Sequence, residues 1–139
     1  MAGPVVVSGN KAYSFLSEDE FIERYELLCD YLDENKNSNL QKIIEGLKNL
    51  PRYHPLHNTD FFVKNKKNGK SFLHLGAGSE NITLINVLKQ IGHDINLLDH
   101  LARTPLYDAC YATKLQSVIS IELLHNPTEA QNYKFQQSN

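Results

Sequence analysis

The sequence predicts an all-α fold in which about three helix pairs stack as a repeat solenoid. Two segments near the N-terminus carry apolar residues at helical spacing, and a polar turn separates them. Farther along, the nine-residue segment 69–77 recurs 33 residues later as segment 102–110. That period is typical of two-helix repeat units, which bury a continuous core only when several units stack.

The composition fits one ordinary intracellular domain. The chain has 139 residues, 41% of them hydrophobic, and a formal net charge of -2. This charge argues against a polybasic nucleic-acid binder. No apolar stretch approaches the roughly 20 residues that a membrane span needs. We therefore expect a cytoplasmic protein that does not insert into membranes.

Ser17 begins the first predicted helix. Ser17 and Glu20 have the spacing of a capping box, in which each side chain satisfies a backbone N–H of the first turn. The apolar stripe that follows consists of Phe21, Tyr25, Leu28 and Leu32. This pattern predicts a helix over 18–33.

A second helix is predicted after the polar turn 35–39. Its N-cap is Asn37, Ser38 or Asn39, and its apolar stripe runs from Leu40 to Leu50. Pro51 ends it, because a proline ring disfavours a helical residue before it. The chain then divides into a flexible N-terminus (1–16), a helical-repeat domain (17–126) and a tail (127–139). The domain contains a capping helical hairpin (17–50), a long connection (51–67) and two repeats (68–126).

The two repeats share a pattern of capping and small residues. Segment 69–77 reads Gly-Lys-Ser-Phe-Leu-His-Leu-Gly-Ala, and segment 102–110 reads Ala-Arg-Thr-Pro-Leu-Tyr-Asp-Ala-Cys. Ser71 and Thr104 are predicted N-caps, and Pro105 suits the first helical position. Gly92 and Asn126 are predicted to end the second helix of each unit.

These units resemble ankyrin repeats, at about 66–98 and 99–126. Segment 69–77 is similar to that family's Gly-x-Thr-Pro-Leu-His-x-Ala-Ala opening, and segment 92–96 is similar to its Gly-Ala-Asp-Val-Asn finger entry. The resemblance implies a short β-hairpin finger near 93–103 and a concave partner-binding face. The sequence departs from the pattern at Phe72, Ala102 and Tyr107. Ala102 stands where the family has glycine, and a positive φ there would be costly for a residue with a Cβ.

By position, the resemblance implies a surface for another protein or peptide. Its residues in the first unit are Lys67, Asn68, Lys70 and Ser79. Its residues in the second unit are His100, Leu101, Arg103, Asp108 and Tyr111, and Leu98 and Leu101 flank the finger tip between the units. The two leucines indicate either a partner or burial under segment 61–62. The lysines of 64–70 are interpreted as a solvated turn, with charge recognition of an acidic peptide or phosphate as the alternative.

The sequence offers no catalytic constellation. His54 and His57 lie in a proline-flanked loop without the further ligands of a metal site, so we expect ordinary hydrogen bonds there. Cys29 and Cys110 are expected to be reduced, buried thiols, and His74 is expected to bond near Ser71.

We therefore expect no cofactor, no metal and no enzyme activity. The predicted function is protein–protein interaction, as an adaptor or scaffold. The alternative is a regulatory or docking domain of a larger multidomain enzyme, and nucleic-acid binding through the lysine run is a weaker third hypothesis.

Overall fold

The computed structural model describes residues 5–6, 12–57, 61–112 and 114–125, which form a mostly helical fold. Six helices lie in these ranges, in three consecutive pairs, and a small sheet of three short strands accompanies them. The prediction of a helical fold is confirmed, and the sheet is an addition to it. No helix in the described ranges has both the length and the apolar character to cross a bilayer.

The first helix pair follows the predicted capping and periodicity. Helix α1 spans Glu18–Glu34, and the Ser17 hydroxyl accepts a hydrogen bond from the Glu20 N–H. Helix α2 spans Leu40–Lys48, and the Asn39 side chain accepts a hydrogen bond from the Lys42 N–H. Asn39 is therefore the N-cap among the three predicted alternatives. Their buried faces consist of Phe21, Leu28, Leu32, Ile43, Ile44 and Leu47.

The second half folds into two helix pairs that keep the 33-residue offset. The first unit contains α3 (Phe72–Gly78) and α4 (Ile82–Ile91), and the second contains α5 (Pro105–Tyr111) and α6 (Leu115–His125). Ser71 and Thr104 cap α3 and α5 with their hydroxyls, as predicted. Gly92 ends α4 in the left-handed conformation with φ 114°. Its predicted counterpart Asn126 and the predicted tail 127–139 lie outside the described residues.

An aromatic cluster joins the first helix pair to the first unit. The Phe72 ring centroid lies 4.9 Å from that of Phe21, 5.6 Å from that of Tyr25 and 6.2 Å from that of Phe61. Phe21, Phe61 and Phe72 are completely buried. Buried aromatic side chains remove large apolar areas from water and dominate a core of this size. Phe72 thus fills the space between the two parts of the domain.

The sheet corrects the expectation of a flexible N-terminus at residues 12–16. Strand β1 (Val5–Val6) pairs antiparallel with β2 (Ala12–Leu16), and β2 pairs parallel with β3 (Val63–Asn65), inside the predicted long connection. The physical reason is Tyr13, which is completely buried. Its ring centroid lies 5.4 Å from that of Phe62 and 5.7 Å from that of His93.

The predicted β-hairpin finger near 93–103 is wrong, because this segment contains turns and no strand. The Asp99 carboxylate accepts hydrogen bonds from the N–H groups of Leu101 and Arg103, each at 2.9 Å. The Asp99 N–H in turn donates to the Arg103 carbonyl at 3.0 Å. An aspartate that bonds nearby backbone groups in this way competes with a strand ladder. A compact turn therefore replaces the hairpin.

The two units repeat a positive backbone φ at equivalent positions. Gly69 has a φ of 76°, and Ala102, its counterpart in the second unit, has a φ of 59°. A left-handed backbone costs an alanine roughly 1–2 kcal/mol because its Cβ approaches the carbonyl oxygen. The turn before α5 therefore carries strain that the turn before α3 avoids.

Ala102→Gly is expected to raise the free energy of unfolding by roughly 0.5–1 kcal/mol, because relief of strain outweighs the greater freedom of glycine in the unfolded chain. Urea denaturation measures this difference. Ala112→Gly is the matched control, since Ala112 has a φ of -84° and gains no relief. An equal loss of stability in both variants would contradict the positive φ at Ala102.

Candidate partner-binding surface

Two neighbouring turns precede α3 and α5, and their backbones contact each other. We call residues 65–70 the first tip and residues 98–103 the second tip. The His100 N–H of the second tip donates to the Asn68 carbonyl of the first at 2.9 Å. Lys64, at the base of the first tip, donates its ammonium to the Leu98 carbonyl at 2.7 Å. The two tips therefore form one continuous edge of the domain.

Lys70 joins the two units through its charge. Its ammonium lies 2.8 Å from an Asp99 carboxylate oxygen and 2.9 Å from an Asp108 carboxylate oxygen. Asp99 belongs to the second tip and Asp108 to α5, so one cation of the first unit holds two elements of the second. We call these three residues the Lys70 clasp. Charge-assisted bonds of this length are among the stronger hydrogen bonds of proteins.

Burial alone would raise the pKa of Asp99, but its hydrogen bonds with Lys70, Arg103 and Leu101 outweigh that effect and lower the pKa to about 2. Burial likewise lowers the pKa of Lys70, and the bonds to Asp99 and Asp108 outweigh it and raise the pKa above its usual value. Both shifts favour the charged forms. Lys70 and Asp99 therefore form an ion pair throughout the physiological range.

His74 fixes the backbone beside the clasp, and its predicted bond to Ser71 is confirmed. Its Nε2 lies 2.9 Å from the Arg103 carbonyl, which only accepts, so Nε2–H is the donor. Its Nδ1 then accepts from the Ser71 N–H at 3.1 Å. Burial lowers the pKa of His74, which agrees with this neutral tautomer. Because Arg103 is bound through its backbone, the base of α5 is attached to the first unit.

Three side chains around the clasp could in principle bind a metal ion, but their donor atoms already bond to groups of the protein. Donor atoms of His74, Asp99 and Asp108 lie within 4.8 Å of one another. The Lys70 ammonium lies between the carboxylates and supplies their positive partner. His74 uses both ring nitrogens in bonds to protein groups. We assign these residues to the junction between the units and not to a metal.

Three side chains lie in a row at the start and on the exposed side of α5. They are Arg103 of the second tip and Tyr107 and Tyr111 of α5, and we call them the Arg–Tyr ladder. The Arg103 guanidinium lies 4.9 Å from the Tyr107 ring centroid. The Tyr107 and Tyr111 centroids are 6.0 Å apart, with planes inclined by 20°. Tyr107 is 43% exposed and Tyr111 is 80% exposed, and Arg103 is half-buried.

The predicted burial of Leu98 and Leu101 under segment 61–62 is not observed. Leu98 is 48% exposed and Leu101 is 67% exposed. Phe61 instead contacts Phe72, and Phe62 stacks on His93 at 4.3 Å between ring centroids. The alternative, a partner that covers the leucines, stays a prediction.

Several predicted surface residues are engaged inside the domain. Besides Lys70 and Asp108 of the clasp, Asn68 accepts the Lys70 N–H with its side chain. Lys67 is exposed and lies 3.6 Å from Glu18 of α1. The solvated-turn interpretation is wrong for Lys64, which is buried.

Ser79 lies at the C-terminal end of α3, away from the tips, and its hydroxyl lies 3.3 Å from that of Tyr25. The structure therefore joins Arg103 to Tyr111 through Tyr107 and places His100 and Leu101 in the tip that contains Arg103, whereas Ser79 lies elsewhere.

Two exposed residues of this region were missed. Tyr107 forms the middle of the ladder, and its spacing of four residues from Tyr111 is the sequence signal that indicates a shared helix face. Phe15 of β2 lies 5.9 Å from His100 between ring centroids. No local signal indicates that contact, because strand pairing across the chain brings Phe15 to the second tip.

The expectation of buried cysteines is wrong for Cys110, which is exposed, and Cys29 is half-buried. Cys110 lies on α5 beside Tyr111, on the side that no later helix covers in the described chain. His54 accepts a hydrogen bond from the Leu56 N–H at 3.0 Å, an ordinary loop bond as predicted.

Comparisons of the chain with protein-family models, with curated proteins and with solved structures found no match. The resemblance to ankyrin repeats therefore rests on the residues of the two units.

The Lys70 clasp makes stability depend on pH in a narrow acid window. Because the folded-state pKa of Asp99 is about 2 and its ordinary value is 3.8, the stabilisation is complete above pH 3.8 and is lost as the pH falls through 2. Thermal melting between pH 5 and about pH 2 should show a smaller decline for Asp99→Asn than for the native chain. Asp19→Asn, at an exposed acid of α1, is the control. If the melting temperature of Asp99→Asn fell with pH as steeply as that of the native chain, Asp99 would not stabilise the fold through the clasp.

Proposed function

We propose that this protein is an interaction module of the ankyrin-repeat type, an adaptor or scaffold that binds another protein through the Arg–Tyr ladder and Leu101. The observation that carries the proposal is the exposure of Tyr111, at 80%, within an ordered stack. Tyrosine and arginine are enriched among the residues that dominate binding energy at protein interfaces. Leu101 adds exposed apolar area beside them.

The order of this surface before binding supports the same function. The Lys70 clasp and the His74 bond attach the second tip and the base of α5 to the first unit. Side chains that are already positioned lose less conformational freedom on association. A surface that is both exposed and fixed in place suits a binding module.

A non-catalytic role is part of the proposal. Burial raises the pKa of Cys29, which disfavours the reactive thiolate. His74 uses both ring nitrogens structurally, so it is not positioned as a general base. These groups have structural explanations that leave no nucleophile–base pair among them.

Tyr107→Ala combined with Tyr111→Ala is expected to weaken partner binding by more than about tenfold, because the loss of one such anchor costs about 2 kcal/mol. Partners captured by the native chain are identified by mass spectrometry, and their affinities for both chains are measured by calorimetry. The melting temperature should change little, since both side chains face water.

The control is Tyr53→Ala, because Tyr53 is 89% exposed but lies in the loop after α2. This variant should bind the same partners with native affinity. If the Tyr53 and Tyr107/Tyr111 variants lost the same affinity for these partners, or if neither lost any, the assignment of the binding surface would be contradicted.

A further inference from the structure

The Arg–Tyr ladder carries a guanidinium that has no ion-pair partner in the domain. Among the described residues, no carboxylate forms an ion pair with the Arg103 guanidinium, whose side-chain contact is the Tyr107 ring. The nearest acids along the chain are Asp99 and Asp108. Both carboxylates are bonded to Lys70 and not to Arg103. Arg103 thus presents an unpaired cation at one end of the ladder.

The contact with Tyr107 leaves N–H donors of the guanidinium available to a partner. A guanidinium has five N–H donors in one plane, and contact with an aromatic ring does not require an oxygen acceptor. These donors match the two oxygens of a carboxylate, which they bind with two parallel hydrogen bonds. Contact with Tyr107 restrains the side chain beforehand, which reduces the freedom lost on binding.

Exposed apolar side chains accompany this cation. Tyr111 stacks on the far side of Tyr107 and is largely exposed, and Leu101, two residues before Arg103 on the second tip, is 67% exposed. A carboxylate bound to Arg103 therefore has the tyrosine rings of the ladder as neighbours, and the same tip offers the aliphatic side chain of Leu101. A matching ligand has an apolar side chain next to its acid.

We propose that the partner is an acidic protein segment, in which an Asp or Glu binds Arg103 and an adjacent aromatic or aliphatic residue packs against Tyr111 or Leu101. This inference rests on the proposed function and specifies its ligand. Charge complementarity favours this occupant, because one guanidinium without an ion-pair partner can bind one carboxylate.

Nucleic acid fits the same surface less well. Its binding depends on several lysines and arginines that neutralise successive phosphates. Here Lys64 and Lys70 are bound to groups of the domain, and Lys67 is paired with Glu18. The exposed face of α1 is acidic and the net charge of the chain is -2, which repels a polyanion.

The test uses the full chain and a random peptide library displayed on phage. Selections are run in parallel on the native chain and on Tyr107→Ala/Tyr111→Ala, and peptides specific to the native chain are synthesised for titration by fluorescence anisotropy. We expect them to share an Asp or Glu next to an apolar residue. Arg103→Gln should weaken their binding at least tenfold, whereas Arg52→Gln, in the loop that carries Tyr53, should not.

Charge exchange separates recognition from a structural effect of the mutation. Arg103→Glu should lose the acidic peptides and bind versions in which the acid is replaced by lysine. Two results would overturn the proposal of an acidic ligand but leave the proposed function intact. Either the peptides that require the ladder contain no Asp or Glu, or Arg103→Gln binds them with native affinity. Ladder-dependent binding of a 20-nucleotide poly-dT strand would also overturn the acidic ligand. A library that yields no ladder-dependent peptide would overturn both proposals.

Discussion

One ammonium group, that of Lys70, connects the two repeat units at the edge that carries the candidate binding surface. Lys70 leaves the first tip and lies between Asp99 of the second tip and Asp108 of α5. Without this cation, two carboxylates would face each other at the junction of the units. The pKa of Asp99 would then rise, because the hydrogen bond from Lys70 is the largest of the interactions that lower it. The clasp therefore sets the position of the second tip relative to α5. The Arg–Tyr ladder begins at that junction.

Charge distribution explains why the ladder is chemically different from the rest of the surface. The acids near Arg103 are bonded to Lys70, whereas the acids of α1 are exposed to water. The same clasp thus performs two tasks, since it joins the units and holds two carboxylates that would otherwise be available to pair with Arg103. His74 adds a neutral hydrogen bond to the Arg103 backbone and so fixes the residue without reducing its charge.

Much of the helical part could be predicted because its signals are local. Ser17 and Ser71 cap helices through side chains within three residues, and the 33-residue offset predicts where α5 begins. Ala102 at a glycine position correctly indicated where strain would lie. These inferences concern neighbouring residues, whose contacts depend mainly on helical geometry.

The sheet and the clasp could not be predicted, because both join residues far apart in the chain. Tyr13 is buried only because β2 pairs with β3, about fifty residues later. From the sequence, Lys70 and Asp108 are predicted to be exposed charges. The fold places their charged groups 2.9 Å apart. Tyr107 was within reach of sequence reasoning, because it lies four residues before Tyr111 in the predicted helix.

Native-state hydrogen exchange of Lys70→Met tests most directly whether the clasp holds the partner-binding surface in place. Exchange is measured for the amides of His100, Leu101 and Arg103, which bond to Asn68 or Asp99. We expect at least tenfold faster exchange at these amides and unchanged exchange at the amides of α1. Native exchange rates at the second tip, or a uniform increase throughout the chain, would show that the clasp does not hold this surface in place.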